Sequence, residues 1–197
     1  CIMRDAARAL AHLHAQTMLH GDVKPSNILL DDQGVARLAD FGLARMAKRQ
    51  GDPPAGGGQP VGQSAFTAVK GTAEYLDPIY LQSGVATELT DGFAFGMTLL
   101  VTLTGQPAKD LKQRCRHMLK WPDDPARWQK PGVPDEAAGS WDSAAACELA
   151  AIVVGLDEKW AEDRMPLADV LLRLERLVEA AGGAPSPQQE QPEQQEP

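Results

Sequence analysis

His20-Gly-Asp-Val-Lys-Pro-Ser-Asn27, followed thirteen residues later by Asp40-Phe-Gly42, is the most informative stretch of this chain. Two short apolar runs fill the interval, Asn27-Ile-Leu-Leu30 and Val35-Ala-Arg-Leu-Ala39, with Asp31-Asp-Gln-Gly34 between them. That is a hairpin signal with glycine at the turn. A hairpin folds the chain back, so it brings Asn27 and Asp40 to one point. Two carboxylates, an amide and an ammonium are then the groups on offer: Asp22, Asp40, Asn27 and Lys24. These are the types that phosphoryl transfer uses. Its transition state is loose and highly charged, so positioning and charge neutralisation do most of the work. A hard divalent cation such as Mg²⁺ prefers carboxylate, amide oxygen and water.

The segment resembles the catalytic loop of protein kinases, written Asp-x-x-x-x-Asn, followed by their Asp-Phe-Gly metal motif. The internal spacings match, five residues from Asp22 to Asn27 and thirteen from Asn27 to Asp40. The resemblance implies a role for each residue. Asp22 is the catalytic base or the residue that orients the attacking hydroxyl, and Lys24 contacts the γ-phosphate. Asn27 and Asp40 bind Mg²⁺, and Leu29 forms the floor under the adenine of ATP. ATP and Mg²⁺ are the implied cofactors, and a protein carrying Ser or Thr is the implied substrate.

Later motifs keep the family's order. Gly71-Thr-Ala-Glu-Tyr-Leu-Asp-Pro-Ile-Tyr80 is similar to the substrate-docking end of an activation segment, here residues 40–79. Thr72 is there expected to bond Asp22 and Lys24. Asp91-Gly-Phe-Ala-Phe-Gly96 resembles the start of the family's central buried helix, whose aspartate braces the catalytic loop. Arg164 falls where the family has a buried arginine ahead of its last helix. Lys24-Pro25 and Thr72 match the Ser/Thr form of the loop. The wording around Tyr75-Leu-Asp-Pro78 is most similar to the interleukin-1-receptor-associated kinases, Pelle and plant receptor-like kinases.

The resemblance implies an α+β fold, mainly α-helical: a protein-kinase-like C-lobe over residues 1–181 with one small β-hairpin and no N-lobe. The pattern of apolar residues agrees. Ile2, Met3, Ala6, Ala7, Leu10 and Leu13 predict a helix over 1–16. Thr90 is expected to cap a buried helix running to about Thr104, with Gly105 as its stop. Short helices are expected near Asp110–Leu119 and Ala144–Gly155. Leu167, Val170, Leu171, Leu174, Leu177 and Val178 then give a clean helical stripe. Gly51-Asp-Pro-Pro-Ala-Gly-Gly-Gly-Gln-Pro60 reads as a mobile loop, and residues 182–197 as a disordered Pro/Gln/Glu tail.

Three departures from the family pattern stand out. Gly21 replaces the arginine that in many kinases reads a phosphate on the activation loop. Ser64, Thr67 and Thr72 are therefore not expected to act as switches through residue 21. Ile79 replaces the glutamate that pairs with the arginine matched by Arg164. Asp77, Glu74 or Asp163 must substitute, or Arg164 must turn to solvent, because a buried unpaired arginine is costly. Lastly, the 197 residues contain no glycine-rich phosphate loop ahead of the catalytic loop, no strand lysine and no partner-helix glutamate. The chain opens at Cys1 within a helical pattern, which points to a fragment. By itself such a chain is expected to bind ATP weakly and to transfer phosphate poorly or not at all. The alternative is a pseudokinase or scaffold fragment, but the intact set Asp22, Lys24, Asn27 and Asp40 favours the enzyme.

Bulk composition narrows the partners. A net charge of −8 argues against nucleic acid or an anionic membrane as the main partner. The longest apolar run, about Phe93 to Leu103, is too short to span a bilayer. Cys1, Cys115 and Cys147 are odd in number and widely spaced, which suits unpaired thiols in a reducing compartment. The resemblance places the chain in the cytoplasm, free or on the cytoplasmic side of a receptor. Oligomeric state is left open. His20 is expected to be structural, packing near Phe41. His12, His14 and His117 read as surface or helix-face residues, and Trp121, Trp128, Trp141 and Trp160 as packing anchors.

Overall fold

The computed structural model describes residues 2–47, 69–128, 142–158 and 163–182. The loop expected at 51–60 and the tail beyond Gly182 lie outside these residues, as do Trp141, Trp160 and the side chain of Trp128. Among the described residues the order is α1 (Ile2–Ala15), β1 (Met18–Leu19), β2 (Ile28–Leu30), β3 (Ala36–Leu38), β4 (Arg45–Met46), α2 (Pro78–Ser83), α3 (Glu88–Thr104), α4 (Leu111–Leu119), α5 (Pro125–Trp128), α6 (Ser143–Leu156) and α7 (Leu167–Ala180). The chain is mainly helical with little strand, as its sequence predicts.

The hairpin is β2 against β3, antiparallel, with Ile28 opposite Leu38, Leu29 opposite Arg37 and Leu30 opposite Ala36. Its turn is built by Asp31, whose Oδ1 accepts the N–H groups of Gln33 and Val35. Alternation along β3 buries Ala36 and Leu38. On β2 the consecutive Leu29 and Leu30, which face opposite sides, are both more than half exposed, at 55% and 54%. A second antiparallel pair, β1 with β4, was not foreseen: Met18 faces Met46 and Leu19 faces Arg45. It draws the residues after Asp-Phe-Gly alongside the entry to the His20–Asn27 loop.

α3 forms the centre. Every residue from Asp91 to Leu100 is buried. Its buried threonines are satisfied within the helix: the Thr98 and Thr104 hydroxyls donate to the carbonyls of Ala94 and Leu100. α6 packs closely on it, since a Cβ on Gly96 would lie 3.0 Å from that of Leu156. The predicted stop is present, with Gly105 at φ 63°. The predicted cap is displaced. Thr87, with extended backbone, is the N-cap, and Thr90 stands three residues inside, where its hydroxyl accepts the Thr87 N–H. Two threonines three apart are equal candidates in sequence, and only the backbone of Glu88 and Leu89 separates them.

α1 buries Ala6, Ala7 and Leu10 completely against its neighbours, and α7 presents Val170 and Leu174 to the same core. An Arg8–Glu175 ion pair at 2.6 Å ties the two helices at the surface. It is worth only about 0–1 kcal/mol there. Cys115 on α4 is buried and Cys147 on α6 is partly buried, both as free thiols. Burial pushes the pKa of each up, and acidic neighbours add to this at Cys147, so both are passive. Trp121 corrects one expectation: it is 53% exposed, with Lys120 and Arg127 against its ring, and anchors no core.

Candidate active site

β1 delivers the chain into the His20–Asn27 loop, and α3 holds that loop from below. Asp91 is buried and accepts the backbone N–H of His20 through Oδ2 at 2.8 Å and of Gly21 through Oδ1 at 2.9 Å. The same Oδ2 lies 3.0 Å from His14 Nε2. His14 is therefore a buried partner of Asp91, not a surface residue. The signal for it was its place four residues after Leu10 on the apolar face of α1. His12 and His117 are exposed.

His20 is fully buried with its ring centroid 5.3 Å from that of Phe41. Its Nδ1 accepts the Asp22 N–H at 3.3 Å, and Nε2 stands 3.0 Å from the Ala39 carbonyl. Those partners require a neutral ring with its proton on Nε2. His20 thus ties the loop to the strand that leads into Asp40, and it does so as a structural residue.

Asp22 sits at the centre of a bonded set. Its Oδ1 accepts the Thr72 N–H at 3.0 Å and the Thr72 hydroxyl at 2.7 Å. Its Oδ2 accepts the Lys24 ammonium at 2.5 Å and lies 3.3 Å from Asn27 Nδ2. Lys24 also donates to the Thr72 hydroxyl at 2.8 Å. Burial acts against the charged form of Asp22, but the bonds from Lys24 and Thr72 and the nearby ammonium outweigh it. The carboxyl is held below its ordinary value of 3.8.

Asn27 is buried, and both its side-chain bonds use the amide nitrogen, to the Asp22 carbonyl and carboxylate. That leaves the amide oxygen as its free ligand atom. Its backbone carbonyl accepts the Ala39 N–H at 2.8 Å, so Asp40 is one residue from the strand partner of Asn27. Asp40 is exposed and left-handed, at φ 61°, and its Oδ1 accepts the Gly42 N–H, at 3.3 Å. The structure therefore bonds Asp22, Lys24 and Asn27 together through their side chains and ties Asp40 to them through the backbone. Leu29 lies further along β2 on the exposed side. Among the described residues no group of three or more His, Cys, Asp or Glu forms a metal cluster. An amide oxygen with an exposed carboxylate remains a suitable hard-oxygen pair.

The segment that follows Thr72 is fixed by a residue distant in sequence. Arg164 is buried and meets Asp77 as a two-pronged ion pair, Nη1 to Oδ2 at 2.6 Å and Nη2 to Oδ1 at 2.9 Å. Its Nε donates to the Glu158 carbonyl at 3.0 Å, and its guanidinium lies 5.4 Å from the Phe93 ring. Of the four outcomes left open by Ile79, the structure has this one. Glu74 and Asp163 are exposed, and Arg164 does not face solvent. The joint that looked weak in sequence is closed. An open depression of about 450 Å³ is lined by Ala73, Glu74, Phe93, Met97, Leu111 and Lys112.

Gly21 is required by its backbone. It has φ +81°, and a Cβ there would come 2.9 Å from the Leu43 carbonyl oxygen. We expect Gly21→Ala to lower stability by about 1–3 kcal/mol. Denaturant unfolding checks this, and an unchanged midpoint would contradict the strain.

The match to known sequences agrees with this arrangement. The protein kinase domain profile matches residues 1–149, and the chain belongs to that family. It is 33% identical over 189 residues to the U-box domain-containing protein 33 of Arabidopsis thaliana, covering 94% of this chain and 21% of that protein. It is 38% identical over 123 residues to a probable LRR receptor-like serine/threonine-protein kinase of Arabidopsis thaliana, covering 61% of this chain and 13% of that protein. Interleukin-1 receptor-associated kinase 1 of Bos taurus is 42% identical over 109 residues, covering 54% of this chain and 15% of that protein. The chain thus spans about a fifth of the first relative's length and less of the other two.

Proposed function

We propose that this chain is the catalytic-loop half of a protein serine/threonine kinase, with its C-lobe at residues 1–181 and its activation segment at 40–79. In this reading Asp22 orients the substrate hydroxyl and receives its proton. Lys24 steadies the transferred phosphoryl group, and Thr72 holds both. Asn27 and Asp40 hold Mg²⁺, and Leu29 lines the adenine site of ATP. Mg²⁺, when bound, supplies charge neutralisation at the phosphates. The open depression that begins at Ala73 and Glu74 suits the residues that flank a Ser or Thr in a protein substrate.

The observation that carries the reading is the bonded set at Asp22. A solvated loop carboxylate has no need of an ammonium, a hydroxyl and an amide all aimed at it. Resemblance to receptor-like kinases supports a cytoplasmic setting, and no helix among the described residues is long and apolar enough to cross a membrane. A non-catalytic scaffold is the second reading. It is given weight by Gly21 and Ile79, which depart from the family pattern. These 197 residues taken alone, with no glycine-rich loop ahead of the catalytic loop and no strand lysine, are expected to transfer phosphate poorly or not at all. The full-length protein, given Mg-ATP and a Ser/Thr peptide, is expected to release ADP and phosphorylate the peptide hydroxyl. ADP release no greater than the peptide-free background, with no phosphopeptide, would favour the scaffold.

A further inference from the structure

Ile79 leaves the docking segment without the carboxylate that the family pattern has at that position, yet the segment is clamped. Asp77 does this with two jobs at once. Its Oδ1 caps α2 by accepting the Ile79 N–H at 2.9 Å, and both its oxygens hold the Arg164 fork. Asp77 is 2% exposed and Arg164 6%. Arg164 reaches three places: the docking segment through Asp77, the first half of α3 through the Leu89 carbonyl and the Phe93 ring, and the chain just after α6 through the Glu158 carbonyl. One short turn, Ala73–Tyr75, separates Asp77 from Thr72. Within it the Thr72 carbonyl accepts the Tyr75 N–H at 2.9 Å. The clamp therefore stands a single turn from the hydroxyl that meets Asp22.

We infer that Asp77 is a positioning residue that sets Thr72 against Asp22 through Arg164, and that a carboxylate at 77 can be exchanged for one at 79. It touches no substrate itself. Its effect passes through the turn to Thr72, which bonds Asp22 and Lys24, so it should govern turnover as well as the docking of the protein substrate. The kinetic part of this rests on the kinase reading, but the geometric part does not.

Two measurements on the full-length protein separate them. The first is amide hydrogen exchange, with Thr72 N–H as the reporter and the buried Leu10 of α1 as the reference. In Asp77→Asn the Thr72 amide should exchange at least about tenfold faster while Leu10 changes little. In Asp77→Asn with Ile79→Glu, protection at Thr72 should return. Ile79→Leu in the same background is the control and should not restore it. The second is steady-state kinetics. Asp77→Asn should raise KM for the protein substrate about tenfold and lower kcat, and Ile79→Glu should reverse both. If Asp77→Asn does not fold, recovery of a folded protein by Ile79→Glu but not by Ile79→Leu supports the inference, and recovery by neither overturns it. Unchanged Thr72 exchange in Asp77→Asn, or equal acceleration at Thr72 and Leu10, also overturns it. An unmodified protein without kinase activity whose Thr72 exchange still responds and is rescued sinks the kinase reading and leaves the clamp standing.

Discussion

Asp22→Asn in the full-length protein is expected to lower phosphoryl transfer by about 10²–10⁴-fold, the range associated with loss of a positioned acid–base group. The substitution keeps the shape of the side chain and reverses the role of one of its atoms. In the native site both oxygens accept, Oδ1 from the Thr72 N–H and hydroxyl, Oδ2 from Lys24 and close to the Asn27 amide. An amide nitrogen in either place sets a donor against donors. It also removes the charge that draws in the Lys24 ammonium and, in the proposed mechanism, the substrate proton. Turnover equal to the unmodified protein would remove Asp22 from the mechanism. The pH dependence follows from the same contacts. Because the folded pKa lies below 3.8, the carboxylate's contribution to stability is complete above that value and is lost as pH falls through the folded pKa. The acid limb of activity between neutral pH and about pH 5 should therefore not come from Asp22. An acid limb in that range that disappears in Asp22→Asn while residual turnover remains measurable would contradict the assignment.

Arg164→Ala is expected to have the largest effect on stability, about 3–5 kcal/mol. The cost arises chiefly from what stays behind. Asp77 remains buried with a charge that only the Ile79 N–H still serves, and the Glu158 carbonyl loses its donor. Asp77→Ala should cost a similar amount by stranding the guanidinium. The double substitution should cost clearly less than the two single effects added, because each removes the group the other strands. Denaturant unfolding of the three variants measures this. Strict additivity would mean that the pair is not the source of the effect.

The sequence carried much of this architecture, for identifiable reasons. Asp31 and Gly34 mark a turn by their own chemistry, so the β2–β3 hairpin could be read locally. Gly105 ends α3 as glycine does at a left-handed stop, and the stripe from Leu167 to Val178 needs only its own period. Thr72, Asp91 and Asp22 were tied together by resemblance in the pattern of motifs. What escaped depends on partners distant in sequence. His14 reads as any helix-face histidine until α3 places Asp91 at 3.0 Å from it. β1 and β4 are two residues each, too short for a pattern to show. The choice of Asp77 over Glu74 and Asp163 turned on which carboxylate is buried, and nothing in the spacing of those acidic residues distinguishes them.

The grip of Asp91 on the His20–Asn27 loop bears on how the protein is made. Its contacts to Gly21 and His20 close intervals of 70 and 71 residues. A ribosome adding about 5–20 residues per second needs some seconds to produce that interval. During that time the residues from His20 to Asp40 are already outside or near the exit, and their organising carboxylate has not been synthesised. The loop therefore gains its order only when the start of α3 emerges, after the closure entropy of the whole interval has been overcome. Synthesis that stalls between Thr72 and Asp91 leaves a chain in which Asp22, Lys24, Asn27, Asp40 and Thr72 are present and not yet arranged, a product exposed to chaperones and proteases.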